Sequence, residues 1–371
     1  MIDSHTRVIP FNDLAPVHHR LKDQLQAAVS RVIERGWFIL GPEIEAFEAE
    51  FAAYHEIDHA VTVANGTDAL ELALRAAGIG TGDEVITVAH TAVATVAAIE
   101  RAGAKPVLVD ISPTTYTMDA SAAEAAITPR TKAIIPVHLY GNPGLFSSVL
   151  RVAQKHHLLL IEDCAQAHGA RYQGRLVGTF GDMAAFSFYP TKNLGADGDG
   201  GAVITRSADF AARLRRLRTY GQTSRYVHDE RGVNSRMDEM QAAILRVKLP
   251  LLNEFNAARQ QLAQIYNANL RGVTTPAHQP GHVYHLYVIR HPQREALMEH
   301  LKQADIGTLI HYPIPVHLQK AYADLGYKRG SLPVSEQVAS EIVSLPLYVG
   351  LSEDDARAVA EAVNSFTEYN P

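Results

Sequence analysis

The chain has 371 residues, 47% of them hydrophobic and 20% charged, and carries 34 Lys and Arg against 40 Asp and Glu for a formal net charge of −6. Such a composition fills a sizeable core in two domains, or in one large body with a smaller lobe, and excludes wholesale disorder. The acidic balance argues against nucleic acid as a partner, because nucleic-acid binders present a basic face.

The opening MIDSHTRVIP has acidic and polar residues where a secretion signal needs a basic end and an apolar run. No stretch reaches the roughly 18 apolar residues of a membrane helix. With Cys164 as the single cysteine, no intramolecular disulfide can form, and the sequence reads as a soluble cytoplasmic protein without a membrane partner.

From about residue 60, short β-branched runs alternate with Ala- and Leu-rich stretches. HAVTVA (59–64) is a predicted strand, followed by a predicted helix in DALELALRAAG (68–78), where Ala69, Leu72, Ala73 and Ala76 share one face. Strands are expected at EVITVA (84–89), KPVLVD (105–110) and KAIIPV (132–137), with a helix at SAAEAAI (121–127). A helix at FSSVLRVAQKH (146–156) precedes strands at LLLIED (158–163), AAFSFY (184–189) and GAVITR (201–206). This alternation implies a mostly parallel sheet covered on both faces. Residues 210–270 read as long helices with Leu214, Leu217, Ile244, Leu245 and Leu249 in the core. Beyond Gly272 come VYHLYVI (283–289), a helix around REALMEHLKQA and the Pro-rich HYPIPVHL, an α+β lobe. The expected division is a large α/β domain over 1–250 and a small α+β domain over 251–371.

Three segments carry chemistry. In AlaAsnGlyThr (64–67), between a strand and a helix, Gly66 permits a tight turn and Thr67 sits where an N-cap is expected, a place suited to phosphate. In LLLIEDCAQAHG (158–169), Asp163 ends an apolar strand, the edge at which open α/β sheets bind ligands, where a carboxylate needs a cation or several donors. In FSFYPTKNLGADGDGGAV (186–203), Lys192 lies among small and aromatic residues, with Ser187 before it and four glycines after it, and can have a depressed pKa. Each has a plainer alternative: a capped helix without ligand, an aspartate that caps its own turn, or a surface lysine beside a Gly-rich turn.

Taken with GVNSRMDEMQAA (232–243), the segments GTDAL (66–70), EDCAQAHGA (162–170) and SFYPTKNLGADGDGG (187–201) resemble, in order, the DegT/DnrJ/EryC1/StrS family of sugar aminotransferases. The resemblance runs from FNDLAP (11–16) to SLPLY (344–348). It implies fold type I, with a large domain on a mostly parallel mixed sheet and a smaller C-terminal α+β lobe, and pyridoxal 5'-phosphate as cofactor. By it, Lys192 would bind the cofactor covalently and then carry the transferred proton, and Asp163 would pair with the pyridinium nitrogen. Gln166 would lie near the phenolic oxygen, while Gly66, Thr67 and Ser187 would hold the phosphate. Asn234 would reach the cofactor phosphate of the neighbouring subunit, which implies a homodimer with two shared sites. One branch of the family has histidine in place of this lysine and dehydrates sugars; Lys192 points to the aminotransferase. Many relatives set an aromatic residue against the outer cofactor face, where Ala92 stands here. His90 is the candidate to cover the ring instead, its alternative being a hydrogen-bonded histidine at a strand end.

HLYVIR (285–290), IGTLIHYPIPVHLQ (306–319) and SLPVSEQVASEIVSLPLY (331–348) are similar to the branch that aminates C3 of dTDP-linked 3-keto-6-deoxyhexoses with L-glutamate as donor. The alternatives are amination at C4 of a dTDP-, UDP- or GDP-linked sugar, and a sugar-sensing regulatory protein. A nucleotide sugar needs groups for its diphosphate and base: Arg225, Tyr226 and His228 on a loop, and His311, Tyr312 and His317 in the Pro-rich passage. No metal is assigned to the 18 histidines, since the pairs at 18–19 and 156–157 lie in helical stretches where neighbours point apart. Cys164 is taken as a small buried hydrophobe.

Overall fold

In the computed structural model, which describes residues 8–369, helices α1 (Ala15–Arg35) and α2 (Pro42–Tyr54) precede the sheet. There follow β1 (His59–Val63), α3 (Gly66–Ala76), β2 (Glu84–Val88), α4 (Val93–Arg101), β3 (Lys105–Val109), α5 (Ala120–Ala125), β4 (Thr131–Ile134) and α6 (Phe146–Lys155). Next are β5 (Leu159–Asp163), the small hairpin β6 (Arg171–Tyr172) and β7 (Arg175–Leu176), then β8 (Met183–Ser187) and β9 (Gly201–Thr205). The C-terminal half has α7 (Ala208–Leu217), the hairpin β10 (Gln222–Ser224) and β11 (Val227–His228), α8 (Glu239–Lys248) and α9 (Leu252–Asn269). β12 (Tyr287–Arg290), α10 (Arg294–Gln303), α11 (Pro333–Glu341), β13 (Ile342–Leu345) and α12 (Glu353–Tyr369) complete it.

The seven predicted strands form one sheet in the order β1-β9-β8-β5-β4-β2-β3. Pairings from β3 through β8 are parallel, and β9 runs against both its neighbours. Alternation along the strands feeds two apolar layers. Val61, Ile161, Ala185 and Val203 meet α3 and α7 on one face, while Ala60, Ala184, Phe186 and Ile204 meet Phe47 and Phe51 of α2 on the other. A separate cluster joins Leu262 and Tyr266 of α9 to Tyr287, Leu297, Val343 and Val359.

Three local expectations change. The N-cap of α3 is Asn65, whose side chain accepts from Asp68 N at 2.9 Å, and not Thr67. Gly66 takes the first helical position because the chain passes β8 there so closely that a Cβ would sit 2.6 Å from Ser187 Cβ. The predicted run VYHLYVI pairs as a strand only from Tyr287; ahead of it, Val283 N and His285 N bond to the carbonyls of Gly141 and Tyr140. Within residues 210–270, read broadly as long helices, the loop expected to carry Arg225, Tyr226 and His228 between α7 and α8 is the β10–β11 hairpin.

Glu162 and Asp163, adjacent on β5, point to opposite faces. Glu162 is fully buried and accepts from Gly178 N (2.7 Å), Phe180 N (2.9 Å), Gly181 N (2.8 Å) and His138 Nε2 (3.0 Å). It thereby ties the turn ahead of β8 to β5. Cys164, also buried, lies beside Glu162 and His138. Removing a charge that four groups have been folded around leaves them unsatisfied, so Glu162→Ala should lower stability by about 3 kcal/mol, read as a shift in the urea midpoint.

Candidate active site

Asp163 ends β5 at the carboxyl edge of the sheet and opens onto a cavity of about 270 Å³. Its Oδ2 accepts from Thr95 Oγ1 at 2.9 Å and its Oδ1 from Ala165 N at 3.1 Å, and Thr95 is backed by Thr91 at 3.0 Å. Burial pushes the Asp163 carboxyl up, while these two hydrogen bonds and the charge of Lys192 hold it down. A carboxylate so placed is met only in part, and a cationic N–H arriving from the cavity would complete it.

Lys192 lines the same cavity and is part-buried. Burial lowers its amine to about 8, with Asp163 opposing. The loop that carries it is held at several points. Lys248 of α8 donates to Gly195 O (2.9 Å) and Asp197 (2.6 Å), Gln241 accepts from Asp197 N (2.9 Å), and His18 of α1 meets Asp197 at 2.8 Å. Asn193 donates to Asn256 (2.8 Å) and Val283 O (3.0 Å).

Opposite stands the start of α3. Asn65, Gly66, Thr67 and Ser187 line the cavity, and with Asp68 N taken by the cap, the N–H groups of Gly66 and Thr67 are the helix-end donors left to it. A Cβ on Gly201 would sit 2.3 Å from Asn65 O, so β9 too must be bare where it meets this turn. Gln166 completes the wall, accepting from Tyr140 N (2.7 Å) and donating to Tyr312 Oη (3.2 Å), a phenol that burial pushes up to about 12.

Six of the sequence-predicted residues thus converge: Gly66, Thr67, Asp163, Gln166, Ser187 and Lys192. His90 does not join them. It is buried, its Nε2 lies 2.9 Å from Tyr140 Oη, and the wall after β2 is made by Thr91, Ala92, Ala94 and Thr95. His311 stacks on Phe11 and meets Ser344 Oγ at 2.9 Å, in a neighbouring cavity. His317 is buried, bonded to Glu336 at 3.0 Å, and lines neither cavity. Arg225, Tyr226 and His228 stand on the exposed β10–β11 hairpin, with Tyr226 81% exposed and the Arg225 guanidinium 5.1 Å above its ring. Asn234 is exposed, bridges to Thr219 and is not among the residues that line this cavity. Thr91 and Thr95 escaped the sequence reading, although their i, i+4 spacing across a helix start was the available signal.

An amine lowered toward 8 is neutral over more of the neutral range than an ordinary lysine, and its reactivity rises as pH passes through that value. In cofactor-free protein, trinitrophenylation of Lys192 by trinitrobenzenesulfonate, with loss of sulfite, should be half-maximal near pH 8, about two units below the ordinary lysine value, as peptide mapping after timed labelling would show.

A family model described as the DegT/DnrJ/EryC1/StrS aminotransferase family matches residues 19–364. The chain is 51% identical over 353 residues to the erythromycin biosynthesis sensory transduction protein EryC1 of Saccharopolyspora erythraea, covering 94% of this chain and 96% of that one. It is 48% identical over 372 residues to the dTDP-3-amino-3,4,6-trideoxy-alpha-D-glucose transaminase of Streptomyces venezuelae, covering 98% of each. The crystal structure of S. venezuelae DesV in complex with a ketimine intermediate matches with a TM-score of 0.95 at 48% identity, over 97% of this chain and 99% of that one. Likeness of that extent, in sequence and in backbone together, makes this protein a member of the DegT/DnrJ/EryC1/StrS aminotransferase family and an enzyme.

Proposed function

We propose that this enzyme transfers an amino group from L-glutamate to C3 of a dTDP-linked 3-keto-6-deoxyhexose, giving a 3-amino-3,6-dideoxyhexose. The single observation that carries the chemistry is the meeting of Lys192 and Asp163 in one cavity whose far wall is a bare helix start. The C3 position and the dTDP carrier draw on the S. venezuelae transaminase, whose own name specifies both.

The cofactor is pyridoxal 5'-phosphate, which when bound supplies an electron sink for the carbanion formed at the amino-bearing carbon. The residues fit it. Asp163 would hold the pyridinium N–H, supported by a carboxylate whose burial leaves it short of a cation. The N–H groups of Gly66 and Thr67 with Ser187 Oγ would take the phosphate at the positive end of α3. Gln166, fixed by Tyr140 and Tyr312, would lie at the phenolic oxygen. Lys192 moves the proton: its amine, lowered to about 8, accepts it from the substrate carbon and returns it on the other side of the reaction, close to the pH at which a general base works best. The small Ala92 leaves room over the ring, and His90 is given no part, being engaged by Tyr140.

The enzyme acts as a homodimer in this reading. Asn234 and the Arg225–His228 hairpin are exposed and do not line their own cavity, which supports their reaching the partner's, with Arg225 for diphosphate and Tyr226 for the base. Tyr312, hydrogen-bonded to Gln166, is assigned to the sugar side, and His317 has no role because Glu336 engages it. The name of the S. erythraea relative favours a second, regulatory reading, and turnover separates the two.

Run backward, the loaded enzyme should lose its cofactor absorbance band with a dTDP-3-amino-6-deoxyhexose and keep it with the 4-amino isomer. Bleaching by the 4-amino isomer alone would move the reaction to C4, and absence of any band after supply of the cofactor would return the regulatory reading. Lys192→Ala should remove turnover by about 10³-fold or more while circular dichroism and elution volume stay unchanged.

A further inference from the structure

Glu162 and Asp163 are adjacent buried carboxylates that the protein treats differently. Glu162 accepts from three backbone N–H groups and an imidazole, a set that saturates it. Asp163 is pinned at its backbone, where its N–H donates to Pro136 O (2.9 Å) and its carbonyl accepts from His138 N (3.1 Å). Its carboxylate has two donors among the described residues, Ala165 N on Oδ1 and the hydroxyl of Thr95 on Oδ2. Thr95 comes from another element, as the third residue of α4. Behind it lies Thr91, with its Oγ1 3.0 Å from Thr95 Oγ1. Thr91 is 3% exposed and Thr95 1%, and both belong to the wall of the Lys192 cavity.

Chemistry fixes the direction of this chain. An ionised carboxylate only accepts, and a hydroxyl has one proton to give. The proton of Thr95 goes to Asp163, so Thr91 is the donor to Thr95. Two hydroxyl dipoles are thereby aligned head to tail toward Oδ2, and aligned hydrogen bonds in a dry interior strengthen one another. Donation to the charged form lowers the proton affinity of the carboxyl, against the burial that raises it. A carboxylate held in this way keeps its charge beside a ring N–H and leaves the shared proton on nitrogen. Without the hydroxyls it would be equally buried with a single backbone donor, and the proton would move toward it.

We propose that Thr95, backed by Thr91, is a positioning residue of the reaction: the two hydroxyls hold Asp163 ionised and aimed, and through it keep the proton on the ring nitrogen of the cofactor. The assignment rests on the aminotransferase reading above and adds what sets the strength of the electron sink. Thr95 touches no reacting atom and acts through Asp163 alone. A threonine that only filled space there would affect stability and leave the protonation of Asp163 unchanged.

The test has two parts. In cofactor-free protein, Asp163 is titrated by 13C NMR after labelling of the aspartate carboxyls, with Asp163→Asn identifying its resonance. The charged and titratable groups around it are Lys192 across the cavity, His138 beside β5 and Tyr312, and the variants alter none of them. Thr95→Val should raise the pH at which Asp163 takes up its proton by about one unit, and Thr91→Val by less. Thr95→Ser, which keeps the hydroxyl, should restore the wild-type value. In the loaded enzyme, with the cofactor labelled with 15N in its ring, Thr95→Val should move the resonance from the protonated toward the unprotonated position, and Thr95→Ser should return it. The amino-sugar half-reaction in Thr95→Val should slow on the order of 10-fold at saturation, with the half-saturating concentration within about two-fold of wild type. Equal Asp163 titration in wild type and Thr95→Val would overturn the proposal, as would a Thr95→Ser as altered as Thr95→Val. If Thr95→Val fails to fold, Thr91→Val decides by the same readout, since it leaves the bond to Asp163 in place; an unchanged titration there overturns the proposal. A wild type that binds no cofactor would bring down the aminotransferase reading, and the ring-nitrogen role with it, whatever the cofactor-free titration shows.

Discussion

A carboxylate buried at the end of a parallel strand is the constraint around which the rest of this molecule is arranged. Asp163 sits where the sheet ends and the chain turns away, its carboxylate met by a threonine hydroxyl and one backbone N–H among the described residues. Leaving it ionised there is unfavourable unless something positive completes the site, and the fold sets Lys192 across the cavity and leaves a cavity that a cationic ring can enter. Each member of the pair moves the other: Asp163 raises the amine that burial lowers, and Lys192 lowers the acid that burial raises.

Holding that pair in place is a matter of backbone contact more than of side-chain contact. The start of α3 lies against β8 and β9 so closely that neither Gly66 nor Gly201 has space for a methyl group. On the other side, the loop after Lys192 is bound from three helices: by Lys248 and Gln241 of α8, by Asn256 of α9 and by His18 of α1. The lysine is therefore carried on a loop, but a loop with little freedom, which is what a group that must return a proton to a fixed atom requires.

Much of this was legible in the sequence because the signals are local. Seven β-branched runs became the seven strands of the main sheet, and the segments around Gly66, Asp163 and Lys192, each following a strand, brought six predicted residues to one cavity. What the sequence concealed depends on partners far away in the chain. His90 turns from the cavity because Tyr140, fifty residues on, offers it a hydroxyl. His317 is tied by Glu336, and the strand expected from Val283 begins late because Tyr140 and Gly141 claim its backbone.

The neighbouring acids of β5 carry a consequence for how the strand finds its place. Glu162 and Asp163 differ by one methylene, and the residues before them, Leu158, Leu159, Leu160 and Ile161, are apolar on both faces. A slip of one position would therefore exchange one carboxylate for another and one aliphatic side chain for another, with little change in pattern. Discrimination falls to reach. Only the longer acid spans to the three N–H groups of the turn before β8, and only the shorter one fits under Thr95, so the difference of a single carbon acts as the alignment mark of the central strand.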